Sequence, residues 1–261
     1  MNYKFKQDNY DFWKNRLKLN SPEKVCTNDV NLDILESKQF LDENLKGKTI
    51  LEIGCGNGLL YNKICKKYKI KKYIGTDFVK ELVEYCKNKN HESEFIHLDI
   101  SKIKKNSFKD KFDYIISKRT VQNVLNHSLQ LKIIDTLGLF LKKNGRIILV
   151  ESSQNAQNNI NQERKIFKLR KIIPPFHNLF FSDEKIKKYV FKNVKLVNIH
   201  PFASDFYYAT RLIYAIYAKF YLKKKPSFYH PLQKVALNIS MNNKLSTTRY
   251  SQVQKYIFIK K

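Results

Sequence analysis

The chain has 261 residues, 43% of them hydrophobic and 13% aromatic, enough for the core of one elaborated α/β domain. It carries no repeat, low-complexity tract or separate second domain, which excludes the repeat and disordered classes. Its 50 Lys and Arg against 23 Asp and Glu give a net charge of +27. That excess points either to an anionic partner (nucleic acid, an acidic membrane surface, a phosphorylated substrate) or to composition, since Lys, Asn and Ile are all abundant and the lysines are scattered.

Residues 1–30 are polar and aromatic, with Phe12, Trp13 and Arg16 close together. Leu32, Leu35, Phe40 and Leu41 predict a helix over Val30–Leu45. Thr49–Ile53 is a short apolar, β-branched run that reads as a buried parallel strand. Gly54, Gly56 and Gly58 follow, three of only seven glycines in the chain, and Leu59–Tyr68 has helical character. Strand, glycine turn and helix together bring backbone N–H groups close to a nucleotide-like ligand. The dinucleotide fingerprint is not met, because Leu59 stands where its third glycine belongs.

Lys72–Gly75 predicts a second strand, and Asp77 lies just past its end. That is about twenty residues beyond Gly54, the distance at which a carboxylate reaches ribose hydroxyls. Glu94–Leu98 predicts a third strand ending at Asp99, and Phe112–Ser117 a fourth leading into Lys118, Arg119 and Thr120. Arg119 and Asn123 are four apart and on a helix would share a face. They are candidates either for holding a polar substrate or for plain surface solvation.

The apolar spacing of His127–Leu141 predicts a helix, and Lys142–Gly145 turns into a fifth strand, Arg146–Glu151. Val194–His200 and Gln254–Lys260 predict an antiparallel sixth and seventh strand, separated by the long insertion Pro201–Val253. Its aromatic run Phe206–Leu222 is broken by Asp205, Arg211 and Lys219, so it cannot span a bilayer. It packs over the active site, forms a dimer contact, or lies as an interfacial helix ending in Lys223, Lys224 and Lys225. The four cysteines, Cys26, Cys55, Cys65 and Cys86, lack metal-ligand spacing. With no leader sequence apparent, they read as reduced thiols in a cytoplasmic protein, and no metal is expected.

L-E-I-G-C-G-N-G, then G-T-D-F, H-L-D-I, F-D-Y-I-I-S and L-K-K-N-G-R-I-I-L-V-E resemble, in order and spacing, the successive motifs of class I S-adenosylmethionine-dependent methyltransferases. The resemblance covers about residues 45–151; another doubly wound nucleotide binder is the alternative. It implies an α/β fold: a Rossmann-like, seven-stranded, mostly parallel sheet with helices on both faces and an added helical cap. The expected layout is an N-terminal arm and helix (1–45), a cofactor core (46–151), a lid (152–193) and C-terminal strands (194–261) with the cap at 201–253.

The resemblance also implies roles. Gly54, Cys55, Gly56, Asn57 and Gly58 would contact the methionine part of S-adenosylmethionine through the backbone, and Glu52 would receive its ammonium or orient the turn. Asp77 would hold both ribose hydroxyls, Phe78 would lie against the adenine, and Asp99 with Ile100 would read the adenine edge. Ser117 is counted with these contacts. Asp11–Arg16 resembles an F/Y-W-x-x-R arm in which Trp13 covers the cofactor and Arg16 pairs with its carboxylate; packing on the core is the alternative.

The N/D-P-P-Y/F motif of enzymes that methylate amino groups of DNA or glutamine is missing after the fourth strand. Glu151, Asn161, Arg164, His177 and Asn178 resemble an E…N-x-x-R…H-N pattern of bacterial enzymes that modify small molecules and surface sugars. Arg119, Asn123, Arg164 and Asn178 are accordingly expected to bind substrate, with His177 and Glu151 as candidate bases; a structural His177 bonded to the backbone is the alternative. The expected reaction is methyl transfer to a small polar, anionic acceptor, a hydroxyl of a sugar or of a phosphorylated surface-polysaccharide precursor, with S-adenosylhomocysteine as the second product. An RNA methyltransferase and a non-catalytic binder of the same fold are the alternatives. The acceptor atom and the oligomeric state stay open.

Overall fold

The structure is a computed structural model that describes residues 3–18, 25–242 and 248–261, with side chains from residue 8 onward. The described residues build a seven-stranded sheet: β1 (Thr49–Ile53), β2 (Lys72–Asp77), β3 (Glu94–His97), β4 (Phe112–Lys118), β5 (Leu141–Ser152), β6 (Val194–His200) and β7 (Val253–Lys260). Its order is β3-β2-β1-β4-β5-β7-β6, with β7 antiparallel to both neighbours and the other pairings parallel.

Strand alternation divides the core into two layers. Ile50, Ile116, Ile148 and Val150 join a cluster on one face with Leu32, Leu35 and Phe40 of α2 (Val30–Leu41). Leu51, Ile53, Ile115, Ile147 and Leu149 join Ile133, Ile134 and Leu137 of α5 (His127–Leu137) on the other. The first crossovers are α3 (Leu59–Lys67) and α4 (Lys80–Lys89). The chain reverses direction across the sheet between β1 and β4, so the crevice at their carboxyl ends is where an open α/β sheet takes a ligand.

Several boundaries differ from expectation: α2 ends at Leu41, not Leu45, and β2 runs on from Gly75 to include Asp77. β5 begins at Leu141, not Arg146, because Leu141 already pairs with Phe112 and an irregularity absorbs the Lys142–Gly145 segment. The helix before it stops at Leu137 and tightens into a 3₁₀ turn, Gly138–Phe140.

Segments outside the sheet close over the crevice. The N-terminal helix α1 (Tyr3–Arg16) is pinned to α4, where Glu81 accepts from the Tyr10 hydroxyl at 2.5 Å and pairs with Lys14 at 2.7 Å. After β5 come α6 (Gln154–Ile166) and α7 (Asp183–Lys188). The insertion between β6 and β7 forms α8 (Ser204–Tyr207), a π-helical turn (Tyr208–Ile213), α9 (Tyr214–Phe220) and α10 (Leu232–Met241). Its Phe206, Tyr207, Leu212 and Ala236 pack into the α2 layer.

Candidate active site

The glycine turn ends β1. Gly54 and Cys55 donate their N–H groups to the Thr76 carbonyl at 2.7 and 2.8 Å, clamping the turn to β2. Gly54 (φ +75°) and Gly56 (φ +55°) occupy left-handed conformations that favour glycine. A Cβ on Gly54 would stand 1.9 Å from Thr120 Oγ1, and one on Gly56 2.6 Å from Cys26 Sγ. The turn therefore lies against the β4 exit loop, and no side chain fits between them.

In front of it is a chamber of about 760 Å³ of non-protein space, partly open to solvent, lined by Gly54, Gly56, Asp77, Phe78 and Ile100. Asp77 accepts from the N–H of Gly56 at Oδ2 and of Val79 at Oδ1, each at 2.9 Å, and burial raises its pKa. The Phe78 N–H also acts on it, and the carboxylate keeps acceptor capacity for a further donor. Asn9 of α1 and Asn123 line the same chamber, and the Oδ1 atoms of both are buried without a hydrogen-bond partner. A side recess shares Asn9, Phe78, Ile100 and Asn123 with the chamber and adds Asp99, whose Oδ1 accepts from the N–H and hydroxyl of Ser101.

A second chamber, about 1100 Å³ measured the same way, meets the first at Trp13, Cys26 and Arg119. It is lined by three guanidinium groups, Arg16, Arg119 and Arg211, and by His177 and Asn178. The acids of α2 hold two of these cations. Asp29 caps the helix by accepting from Leu32 N–H and pairs with Arg211 at 2.6 Å; Glu36, two turns on, faces Arg119 at 3.1 Å. Burial pushes Glu36 up to about 7 against the pull of Arg119 and Lys118. Between them Asp33, though burial opposes it, is held at about 2 by Lys118 and Lys63.

His177 is 7% exposed, in a box formed by Phe12 (4.3 Å between ring centres), Phe176 (5.1 Å) and Trp13 (5.4 Å). Its Nδ1 is buried with no partner. Burial, helped by the nearby Arg16 charge, lowers its pKa to about 4. The loop carrying it is fixed from below: Leu179 N–H donates to the Gln122 carbonyl at 2.7 Å, and Gln130 Nε2 donates to the Leu179 carbonyl at 2.8 Å.

Several expected roles are not met by this geometry. Glu151 is fully buried and accepts from the N–H groups of Thr120, Val121 and Gln122 and from the Ser117 hydroxyl. Burial still pushes its carboxyl to about 7. It anchors the β4 exit loop and does not reach either chamber as a base. Ser117 is buried against it and away from the first chamber. Glu52 is likewise buried, its carboxyl accepting from the Tyr73 hydroxyl and not lining the chamber.

Behind the turn, Asn57 accepts from Cys26 Sγ at 3.5 Å, Gly58 caps α3, and the Cys55 thiol is buried. Arg16 faces the second chamber, not the first, and donates to the Val25 carbonyl and Asn28. Arg119 and Asn123 do not share a helix face. Arg119 has φ +53°, and Asn123 Nδ2 bonds back to its carbonyl at 2.8 Å.

Arg164 lines neither chamber. It donates to the Arg170 and Arg211 carbonyls, while Asn161 exchanges two hydrogen bonds with the Ile172 backbone. Both residues clamp the loop that leads to His177. Asn178 lines the second chamber with its Oδ1 buried and unpartnered.

Asn9 and Arg211 escaped the sequence reading. Asn9 lies four residues before Trp13, so helical spacing alone puts both on one face of α1. Arg211 was visible only as a break in an aromatic run. The π-helical turn, a feature common at functional sites, carries it over the rings of Tyr207 (5.4 Å) and Phe228 (5.2 Å).

The first chamber fits a nucleoside-bearing cofactor on these grounds: a glycine wall without room for a Cβ, a buried carboxylate with spare acceptor capacity, and two orphaned amide oxygens. Comparison with known proteins agrees. A family model described as a methyltransferase domain matches residues 44–197. The chain is 26% identical over 160 residues to malonyl-[acyl-carrier protein] O-methyltransferase 2 of Ilyobacter polytropus, covering 60% of this chain and 59% of that protein. It spans less than two thirds of the length of the curated relatives it matches.

Among solved structures, the N-methyltransferase NodS of Bradyrhizobium japonicum, in complex with S-adenosyl-L-homocysteine, superposes with a TM-score of 0.56 over 97% of both chains at 10% identity. A TehB-like SAM-dependent methyltransferase of Corynebacterium glutamicum gives 0.52 over 87% of this chain and 88% of that one at 16% identity. At these identities the likeness is one of fold.

Proposed function

Because the chain belongs to the methyltransferase-domain family, we propose that it transfers a methyl group from S-adenosylmethionine to an oxygen of a small anionic acceptor. Our first reading of that acceptor is a hydroxyl of a sugar or of a phosphorylated surface-glycan precursor. The observation that carries the proposal is the pair of chambers meeting at Trp13, Cys26 and Arg119: one suits a nucleoside, the other is lined by guanidinium groups.

When bound, the cofactor supplies a methyl group already activated by a positively charged sulfur. The protein's part is alignment, exclusion of water and proton handling. Asp77 accepts the ribose hydroxyls, Gly54 and Gly56 let the backbone approach, and Asn9 and Asn123 offer their unpartnered oxygens to donors on the cofactor. Trp13 closes the boundary between the chambers. Arg16, Arg119 and Arg211 orient the acceptor's negative charge, Arg211 and Arg119 being preset by Asp29 and Glu36.

The His177 ring, which lines the second chamber, accepts the hydrogen bond of the attacking hydroxyl. With a pKa near 4 the ring is neutral at pH 7. It takes the proton only as the oxygen becomes acidic on gaining the methyl group.

A carboxylate acceptor is the second reading, favoured by the three guanidinium groups and by the name of the Ilyobacter relative. It needs no proton removed, so His177→Ala separates the two in a methyl-transfer assay. The hydroxyl reading predicts that kcat on sugar phosphates or nucleotide sugars falls roughly a hundredfold or more with KM little changed. An enzyme that binds S-adenosylhomocysteine but turns over no hydroxyl acceptor, and methylates dicarboxylate thioesters without needing His177, would overturn it.

A further inference from the structure

From Phe206 to Lys261 the chain holds no Asp or Glu, against eleven Lys and Arg. Within that stretch the helix ending in α9 is amphipathic in an unusual sense. Its inner side, with Tyr214, Ala215 and Ala218, is buried. Its outer side exposes Ile213 (51%), Tyr217 (39%), Phe220 (44%) and Tyr221 (76%), spaced as i, i+4, i+7 and i+8 along one face. Phe228 and Tyr229, also exposed, extend the apolar surface past the helix end.

Cations border this stripe. Lys219, Lys223, Lys224 and Lys225 are all exposed. Lys219 Nζ lies 4.8 Å from the Phe220 ring centre and donates to the Lys168 carbonyl at 2.6 Å. That bond brings the exposed Ile166 and Phe167 to the same end of the helix. Single exposed apolar residues need no explanation, but a helical stripe of them edged by lysines and free of carboxylates does.

We propose that this face docks on an anionic membrane surface, the apolar stripe at the head-group boundary and the lysines against the lipid anions. Among the described residues no helix is long and apolar enough to cross a membrane, so the helix would lie on the bilayer. A lipid surface fits better than single-stranded nucleic acid, which is held by aromatics stacked along a basic groove; here the exposed aliphatic Ile213 shares the helix stripe with the rings, and Ile166 of α6 is exposed nearby. Phe228 also lines the second chamber, so the docking face and the acceptor site share a side chain. The proposal does not depend on the identity of the acceptor.

The test is co-sedimentation of the full chain with vesicles of phosphatidylcholine alone and of phosphatidylcholine mixed with phosphatidylserine, at low and high salt. We expect pelleting only with the anionic vesicles and release by salt. Each lysine near the surface contributes roughly fivefold, so Lys223→Glu/Lys224→Glu/Lys225→Glu should weaken binding by roughly a hundredfold. Phe220→Ser/Tyr221→Ser should weaken it at least tenfold while keeping the wild-type thermal transition. Three results would each overturn the proposal: no pelleting of the wild type, a stripe variant that pellets like the wild type, or single-stranded RNA bound in preference to vesicles. So would a wild-type dimer that ignores vesicles and that the stripe variant dissolves.

Discussion

Neutrality of His177 across the physiological range is the feature on which the hydroxyl mechanism turns, and stability measurements test it without any substrate. The ring has a pKa lowered from 6.5 to about 4, first by burial and then by Arg16. Between those values the unfolded chain binds a proton that the folded chain refuses. His177 therefore destabilises the protein progressively as pH falls through that window. Going down to pH 5 spans about one and a half units below the unfolded value, at about 1.4 kcal/mol each, or about 2 kcal/mol. His177→Phe keeps a ring among Phe12, Trp13 and Phe176 and removes the titration. Urea unfolding of both proteins at pH 7 and pH 5 should give the wild type a pH-dependent loss about 2 kcal/mol larger than the variant's. Equal losses would mean that the ring is protonated in place, and the neutral-histidine account would fail.

Two further substitutions probe the loop and the turn. Glu151→Ala removes the acceptor for three backbone N–H groups and should cost about 3–9 kcal/mol of unfolding free energy, at about 1–3 kcal/mol per orphaned donor. Glu151→Gln, which keeps an acceptor oxygen, should lose less than half of that; equal losses would argue against the anchoring role. Gly54→Ala meets both a left-handed backbone and Thr120, and should destabilise by at least about 2 kcal/mol. In the Thr120→Gly background, which also removes the Cβ that would stand 2.6 Å away, the side-chain contact is relieved, so the conformational part should remain, and full recovery there would refute the backbone argument.

Local chemistry explains what was legible in the sequence. The strand, glycine turn and helix at Thr49–Lys67 are written in one continuous stretch, and Asp77 ends one strand while Asp99 stands just past another. The sheet follows from alternation and from the apolar runs that fill its strands. The roles of Glu151, Ser117, Arg164 and Arg16 were not legible, because each is decided by what the fold brings opposite it. The backbone N–H groups that fix Glu151 come from a loop some thirty residues away, and the carbonyls that occupy Arg164 come from two other segments. Arg211 is a further case: a π-helical turn rotates it into the chamber, and side-chain periodicity does not announce such a turn.

The central claim is that the Gly54–Asp77 chamber binds the methyl-donor cofactor, and calorimetric titration with S-adenosylhomocysteine tests it most directly. Wild type, Asp77→Ala and Asp77→Asn should be compared, the last keeping one acceptor for the turn's N–H groups. Two hydrogen bonds to a buried carboxylate contribute about 1.5–3 kcal/mol each, so Asp77→Ala should bind at least about a hundredfold more weakly than the wild type. Asp77→Asn should lie between them. A wild-type protein that takes up no S-adenosylhomocysteine, or an Asp77→Ala variant that binds it as tightly, would contradict the account.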